Sequence, residues 1–150
     1  MTKDCVFCGI VAGAAEAHLV HADDDTVAFL DVRPVFKGHV LVAPRAHVVT
    51  LLDLPAHLLV PVFGATQRLA DAVTTSLGAQ GTFVAMNNTV SQSVAHLHIH
   101  VVPRTKGDGL RGFFWPRTRY ADGEAADYAA RISAGLRSRE QHDTGPELGH

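Results

Sequence analysis

Histidine occupies positions 96, 98 and 100 in the run Ser93-Val94-Ala95-His96-Leu97-His98-Ile99-His100-Val101-Val102, and the residues between the histidines are aliphatic. Alternation with period two is a strand pattern, because successive strand side chains point to opposite faces. The run therefore predicts three imidazoles on one face and Leu97, Ile99 and Val101 on the other. A lone histidine in a strand is usually a packing residue. Three on one face repel one another when charged and need hydrogen-bond partners when neutral, so such a row marks a chemical site. Imidazole serves as nucleophile, acid, base or metal ligand near neutral pH.

The rest of the chain reads as the frame for that site. Its 150 residues fit one domain with a core. A composition 47% hydrophobic and 19% charged is that of a folded, soluble chain. Val27–Asp31 and Gly38–Pro44 predict an antiparallel pair of strands, the second stopped by its proline. A long helix is expected from about Asp53 and Pro55 to Leu77, ending at Gly78. Leu58, Leu59, Val62, Phe63, Leu69, Ala70, Val73 and Leu77 form its core face, and Pro61 predicts a distorted first turn or a later start. Gly81–Asn87 is a third strand, Asn87 to Gln92 a polar turn, and Ala125–Leu136 a final helix with Tyr128, Ile132 and Leu136 on one stripe. The expected organisation is one domain over residues 1–136 and a flexible polar tail over 137–150.

The net charge of −2 supplies no basic field for nucleic acid, so an anionic ligand needs local donors. No stretch has the length of a membrane span, and Asp4 stands where a signal peptide carries its apolar core. The expected location is cytoplasmic, with no nucleic-acid or membrane partner.

Cys5-Val6-Phe7-Cys8 is a C-x-x-C motif, which by itself reads as a zinc knuckle or a redox pair. A structural zinc site takes four nitrogen or sulfur ligands, so two thiolates need two more. The best quartet is Cys5, Cys8, His47 and His96, although spacing alone does not rank His47 above His39. Asp31 reads as a turn residue or as a ligand for a hydroxyl. Ser91, Gln92 and Ser93 form a polar turn that gains interest as a source of phosphate donors only because it adjoins the histidines.

His96-Leu97-His98-Ile99-His100-Val101-Val102 resembles the signature of the histidine triad (HIT) superfamily, His-x-His-x-His-x-x with x apolar. The lead-in Gln92-Ser93-Val94, the exit Pro103-Arg104, Asp31 with Pro34, and Gly38-His39-Val40-Leu41-Val42-Ala43-Pro44-Arg45-Ala46-His47 also look like that family. The resemblance covers roughly residues 5–104. It implies an α+β HIT fold: a five-stranded antiparallel sheet carrying one long helix, here followed by a C-terminal helix, with homodimers usual in the Hint and Fhit branches. It implies attack on the α-phosphate of a nucleotide and release of a nucleoside monophosphate. His98 takes the place of the nucleophile, His100 of a phosphate contact, and His39 of a buried histidine that supports the triad. Asp31 matches the acid that holds the ribose hydroxyls, while Asn87, Gln92 and Ser93 match positions that touch phosphate or the leaving group. In zinc-containing members the ligands correspond to Cys5, Cys8, His47 and His96, a closed structural site.

The turn between Asn87 and Gln92 is shorter and poorer in glycine than in many Hint-like members, which puts the role of Asn87 in question. Ala95 replaces a larger residue, and the Gly107–Arg119 segment with Phe113, Phe114 and Trp115 lies outside the signature. His100 stands where the family's nucleotidyl transferases and phosphorylases carry glutamine. The resemblance thus implies hydrolysis of purine phosphoramidates, acyl-adenylates or dinucleoside polyphosphates through a nucleotidyl-histidine. The alternatives are a nucleotide-binding regulator with incidental hydrolysis and a zinc-stabilised interaction module.

Overall fold

Five strands form one antiparallel sheet in the order β1-β2-β3-β5-β4. They are β1 (Leu19–Ala22), β2 (Thr26–Leu30), β3 (Val40–Pro44), β4 (Gly81–Ala85) and β5 (Ile99–Arg104), accompanied by α1 (Val6–Val11), α2 (Ala56–Leu77) and α3 (Glu124–Asp143). The computed structural model describes residues 4–110 and 117–143. Two compact units, Met1–Gly109 and Leu110–His150, divide the chain.

The sheet has two different faces because its strands alternate. Ala28, Val40, Val42, Leu97, Ile99 and Val101 pack with Leu58, Val62, Ala65, Leu69 and Val73 of α2 in one core. Val27, Phe29, Leu41 and Ala43 pack with Phe7 of α1 in a second core. β3 is buried along its whole length because it lies inside both. Its register sets Leu41 opposite His100 and Val42 opposite Ile99, so the even-numbered histidines share the α1 face and the aliphatic residues between them share the α2 face.

The triad run is strand only in its second half. β5 starts at Ile99, so His96 and His98 lie in an irregular approach to it. The ladder with β3 stops at the Val42–Ile99 pair. Beyond it, Pro44 gives its carbonyl to the His96 ring at 2.8 Å, and the Leu97 amide turns to Val48 O at 2.6 Å. The alternation of faces survives: Leu97 remains in the α2 core, while the rings of His96 and His98 lie against Phe7.

α2 begins at Ala56 despite Pro61 in its sixth position, and it ends where Gly78 adopts the left-handed conformation at φ 66°. Pro61 removes the hydrogen bond to one first-turn carbonyl without displacing the helix start. The buried stripe is narrower than expected: Leu59, Phe63 and Leu77 are exposed. β1 has no counterpart among the expected strands. It is a four-residue edge strand with mostly exposed side chains and an irregular register near Leu19, so it lacks the burial alternation that betrays a strand. In the second unit α3 continues past Leu136 to Asp143. Arg137, Arg139, Glu140 and Gln141 have high helix propensity, so a polar sequence there does not end the helix. Residues 144–150 of the expected tail, and Phe113, Phe114 and Trp115, lie outside the described residues. No described helix is long and apolar enough to cross a membrane.

Gly38 turns the chain into His39 and β3. It sits at φ +95°, and a Cβ there would overlap Leu77 Cδ1 and meet Pro103 Cγ. Gly38→Ala is expected to destabilise the fold by about 1–3 kcal/mol, read as a lower midpoint in thermal unfolding; an unchanged midpoint removes the constraint.

Candidate functional site

The α1 face of the sheet carries two adjoining clusters. The first gathers Cys5, Cys8, His47 and His96, whose ligand atoms all lie within 4.8 Å of one another. Cys5 caps the N-terminus of α1 and receives the Cys8 amide on its sulfur, so one short turn brings both thiols together. Cys5 Sγ is 3.5 Å from His96 Nδ1, and Cys8 Sγ is 3.3 Å from His47 Nδ1 and 3.7 Å from His96 Nδ1. A tetrahedral zinc with ordinary bond lengths has sulfur–nitrogen edges of about 3.5 Å. His96 Nε2–H donates to Pro44 O at 2.8 Å, which leaves Nδ1 unprotonated and aimed at the thiols. Such an outer hydrogen bond orients a metal-bound imidazole. Burial lowers the pKa of His96, with the charges of His47 and His98 adding to the effect and the Pro44 carbonyl opposing it. The ring is therefore neutral, as a ligand must be. Donor types, edges and protonation all fit a metal ion, and the spacing that left His39 and His47 unranked resolves in favour of His47.

The second cluster holds His98, His100, His39 and Asp31. Its proton positions follow from one backbone donor. Val35 N–H donates to His39 Nδ1 at 3.1 Å, so the His39 proton is on Nε2. That Nε2–H donates to His100 Nδ1 at 2.9 Å, and the His100 proton is in turn on Nε2. His98 Nδ1–H donates to His96 O at 2.7 Å, leaving the Nε2 lone pair of His98 free. The rings of His98 and His100 are 5.0 Å apart. Burial, then the neighbouring His98 and His39, push the His100 pKa down to about 4 against the pull of Asp31. Burial also lowers His39, with Asp31 opposing and His98 adding. Asp31 Oδ2 stands 3.7 Å from His39 Nδ1, but that nitrogen accepts from Val35, so the carboxylate is a neighbour and not its hydrogen-bond partner. Asp31 Oδ1 accepts from Arg33 N–H at 2.8 Å, which leaves Oδ2 open to a ligand.

The turn before the triad is closed by its own side chains. Gln92 accepts from the Thr89 amide at 2.9 Å and donates to Val49 O at 2.6 Å, while Asn87 donates to Ser91 O at 3.1 Å. Asn88 adds a bond from Leu51 N–H at 2.8 Å. These bonds hold Thr89 at φ 70° and Ser91 at φ 60°, left-handed values that usually require glycine. Ser93 lines a cavity of about 410 Å³ with Asp4, Cys5, Val6 and His47, on the quartet's side. Of the residues singled out from sequence, the two clusters bring together eight; Asn87 and Gln92 are engaged in shaping the turn. The sequence reading missed Phe7, whose ring stands against both His96 and His98. Its place inside the C-x-x-C motif was the available signal.

Three histidines with lowered pKa values, His39 and His96 buried and His100 half-buried, make the fold acid-sensitive. A histidine whose folded pKa lies below its unfolded value of about 6.5 contributes stability that is complete above that value and lost as pH falls towards the folded pKa. The melting temperature is expected to drop between about pH 6.5 and pH 4, and His100→Gln to flatten that part of the profile. An equally steep profile in the variant contradicts the assignment. Cys5→Ser is expected to reduce bound metal and to lower the melting temperature. Metal analysis showing no metal in the parent protein overturns that expectation.

The sequence model of the HIT domain family matches residues 12–107. An uncharacterized HIT-like protein of Mycobacterium tuberculosis is 41% identical over 108 residues, 71% of this chain and 75% of that one. A protein of Schizosaccharomyces pombe named as an adenosine 5'-monophosphoramidase is 28% identical over 89% of this chain and 98% of its own length. A crystal structure from Streptococcus mutans superposes with a TM-score of 0.82 at 31% identity, covering 91% of this chain and 87% of that one. A zinc-bound histidine triad protein from Mycobacterium smegmatis is 36% identical with a TM-score of 0.69, covering 91% and 97% of the two chains. By its matched span, its sheet and its triad, the chain belongs to the HIT domain family.

Proposed function

We propose that this protein is a nucleotide hydrolase that cleaves at an α-phosphate through a covalent nucleotidyl-histidine on His98 and releases a nucleoside monophosphate. The observation that carries this reading is the pair of opposed tautomers: His98 offers an unprotonated Nε2, and His100 offers Nε2–H. A nucleophile and a donor of fixed, complementary protonation, with ring centres 5.0 Å apart, suit attack on a phosphoryl group. The name of the S. pombe relative supports an adenylyl phosphoramidate as one substrate class, with dinucleoside polyphosphates as the other.

In this reading Asp31 Oδ2 accepts from the ribose hydroxyls. The lone pair of His98 Nε2 forms a bond to the α-phosphorus as the bond to the leaving group breaks. The positive charge gained by His98 is stabilised by the His96 carbonyl that accepts its Nδ1–H. His100 Nε2–H donates to a non-bridging phosphate oxygen, and its low pKa keeps the ring neutral at pH 7. His39 maintains that tautomer from behind. On the leaving-group side, Gln92 and Asn87 shape the turn and the Ser93 hydroxyl passes a proton from water. The water that opens the phosphorus–nitrogen bond of the intermediate returns that proton, and His98 leaves with its lone pair restored.

Zinc is the metal proposed for the quartet, supported by the two-thiolate, two-imidazole donor set and by the zinc-bound M. smegmatis relative. Cys5, Cys8, His47 and His96 would hold it as four protein ligands, so its contribution would be structural, tying α1 to His96, with no open position for water. Assembly as a homodimer belongs to the same reading, supported by the exposed Leu59, Val60 and Phe63 on α2.

Purified protein and His98→Asn, given an adenosine phosphoramidate and diadenosine tri- and tetraphosphate, should differ in AMP release by about a thousandfold or more. Nucleotide affinity should stay within about tenfold, because the pocket persists. Full activity in His98→Asn overturns the nucleophile. A parent protein that binds nucleotide and turns over none of these substrates moves the reading to a binding protein.

A further inference from the structure

The ring of Phe7 touches both clusters. It is buried, belongs to the six-residue α1, and lies in sequence between the thiols of Cys5 and Cys8. It stands edge-to-face with His98 at 5.1 Å and 88°, with Phe29 at 5.1 Å and 71°, and with His96 at 5.8 Å and 65°. His98 is therefore bounded by two rings, Phe7 and His100. One hydrogen bond, from Nδ1–H to the His96 carbonyl, fixes its tautomer. A single bond to a carbonyl still allows an imidazole to tilt about it, and a half-turn of the ring would exchange Nδ1 for a carbon and break it. The perpendicular face-and-edge contact with Phe7 opposes both motions.

We propose that Phe7 is a positioning residue for His98, and that it links the metal quartet to the nucleophile. The inference rests on the hydrolase reading for its consequence in catalysis, and on geometry alone for its effect on the His98 ring. A helix as short as α1 has little stability of its own. Its place is set by Phe7 in the sheet core and by Cys5 and Cys8 in the quartet. Anything that releases the two thiolates frees the turn that carries Phe7, and with it one wall of the His98 site.

The test uses the full chain loaded with zinc, in three forms: the parent protein, Phe7→Leu, which keeps an apolar side chain in the core, and Phe7→Tyr, which keeps the ring. Imidazole nitrogens are observed by 15N NMR at fixed neutral pH, with the His98 signals identified by their loss in His98→Asn. The parent protein and Phe7→Tyr are expected to show one His98 tautomer, protonated on Nδ1. Phe7→Leu, with unchanged zinc content, is expected to show signals averaged between tautomers. Nucleotidyl-enzyme formation should slow about tenfold in Phe7→Leu, with KM within about twofold. Chelation of the parent protein should move the His98 signals to where Phe7→Leu places them. A Phe7→Leu protein that keeps the parent His98 spectrum and rate overturns the proposal, as does an equal loss in Phe7→Leu and Phe7→Tyr. Unmoved His98 signals after chelation overturn the link to the metal. If the parent protein turns over no substrate, the hydrolase reading fails, while the spectra still decide whether Phe7 positions His98.

Discussion

The amide hydrogen of Val35 has one possible role in a hydrogen bond, and the protonation of half the site follows from it. Because that N–H donates to His39, the His39 proton must lie on the far nitrogen, and the His100 proton one bond further on. Burial then removes the other protonation states by making charge costly on both rings. Backbone carbonyls do the complementary work at the other end, where His96 O and Pro44 O accept from His98 and His96. Main-chain atoms, directly or through the neighbouring ring, thus fix Nδ1–H on His98 and Nε2–H on His39, His96 and His100, although the side chains are chemically identical. A constellation of histidines is chemically ambiguous until such partners are known.

Those partners exist because the strands end where they do. β3 stops at Pro44, which frees its carbonyl, and β5 starts only at Ile99, which frees the main chain of His96 and His98. Had the ladder run on, His96 O would have been spent on a neighbouring strand. The same irregularity lets His96 reach the thiols of α1 while Leu97 stays in the α2 core. The metal quartet and the triad are therefore one construction, sharing His96 and the main chain around it.

Much of this was legible in the sequence, for identifiable reasons. Period-two alternation depends only on side-chain direction, so the separation of histidines from Leu97, Ile99 and Val101 survived even where the strand itself did not. Ligand counting led towards the quartet because the chain has two cysteines and a closed site demands four ligands, but among ten histidines spacing alone did not rank His47 above His39. What stayed hidden depends on long-range packing. β1 is an exposed edge with no burial pattern, and the exposed Leu59 and Phe63 on α2 have the same composition as buried positions. Gln92 and Asn87 read as ligand donors, yet their amides close a turn strained at Thr89 and Ser91, something no spacing rule reveals. The place of Phe7 inside the C-x-x-C motif was a weak signal, because an aromatic residue between two cysteines looks like ordinary packing until its neighbours are known.

The sheet's two unlike faces have a consequence for how the chain reaches its native pairing. Sliding β5 by one residue against β3 would turn every side chain over. His98 and His100 would then be driven into the aliphatic core against α2, and Ile99 and Val101 would meet α1 and the thiols. Such a misaligned sheet loses on both sides at once, with imidazoles desolvated without partners and the quartet dispersed. The arrangement that makes the site possible also makes the neighbouring register self-rejecting, so the histidine row guards the fidelity of strand pairing independently of any reaction it performs.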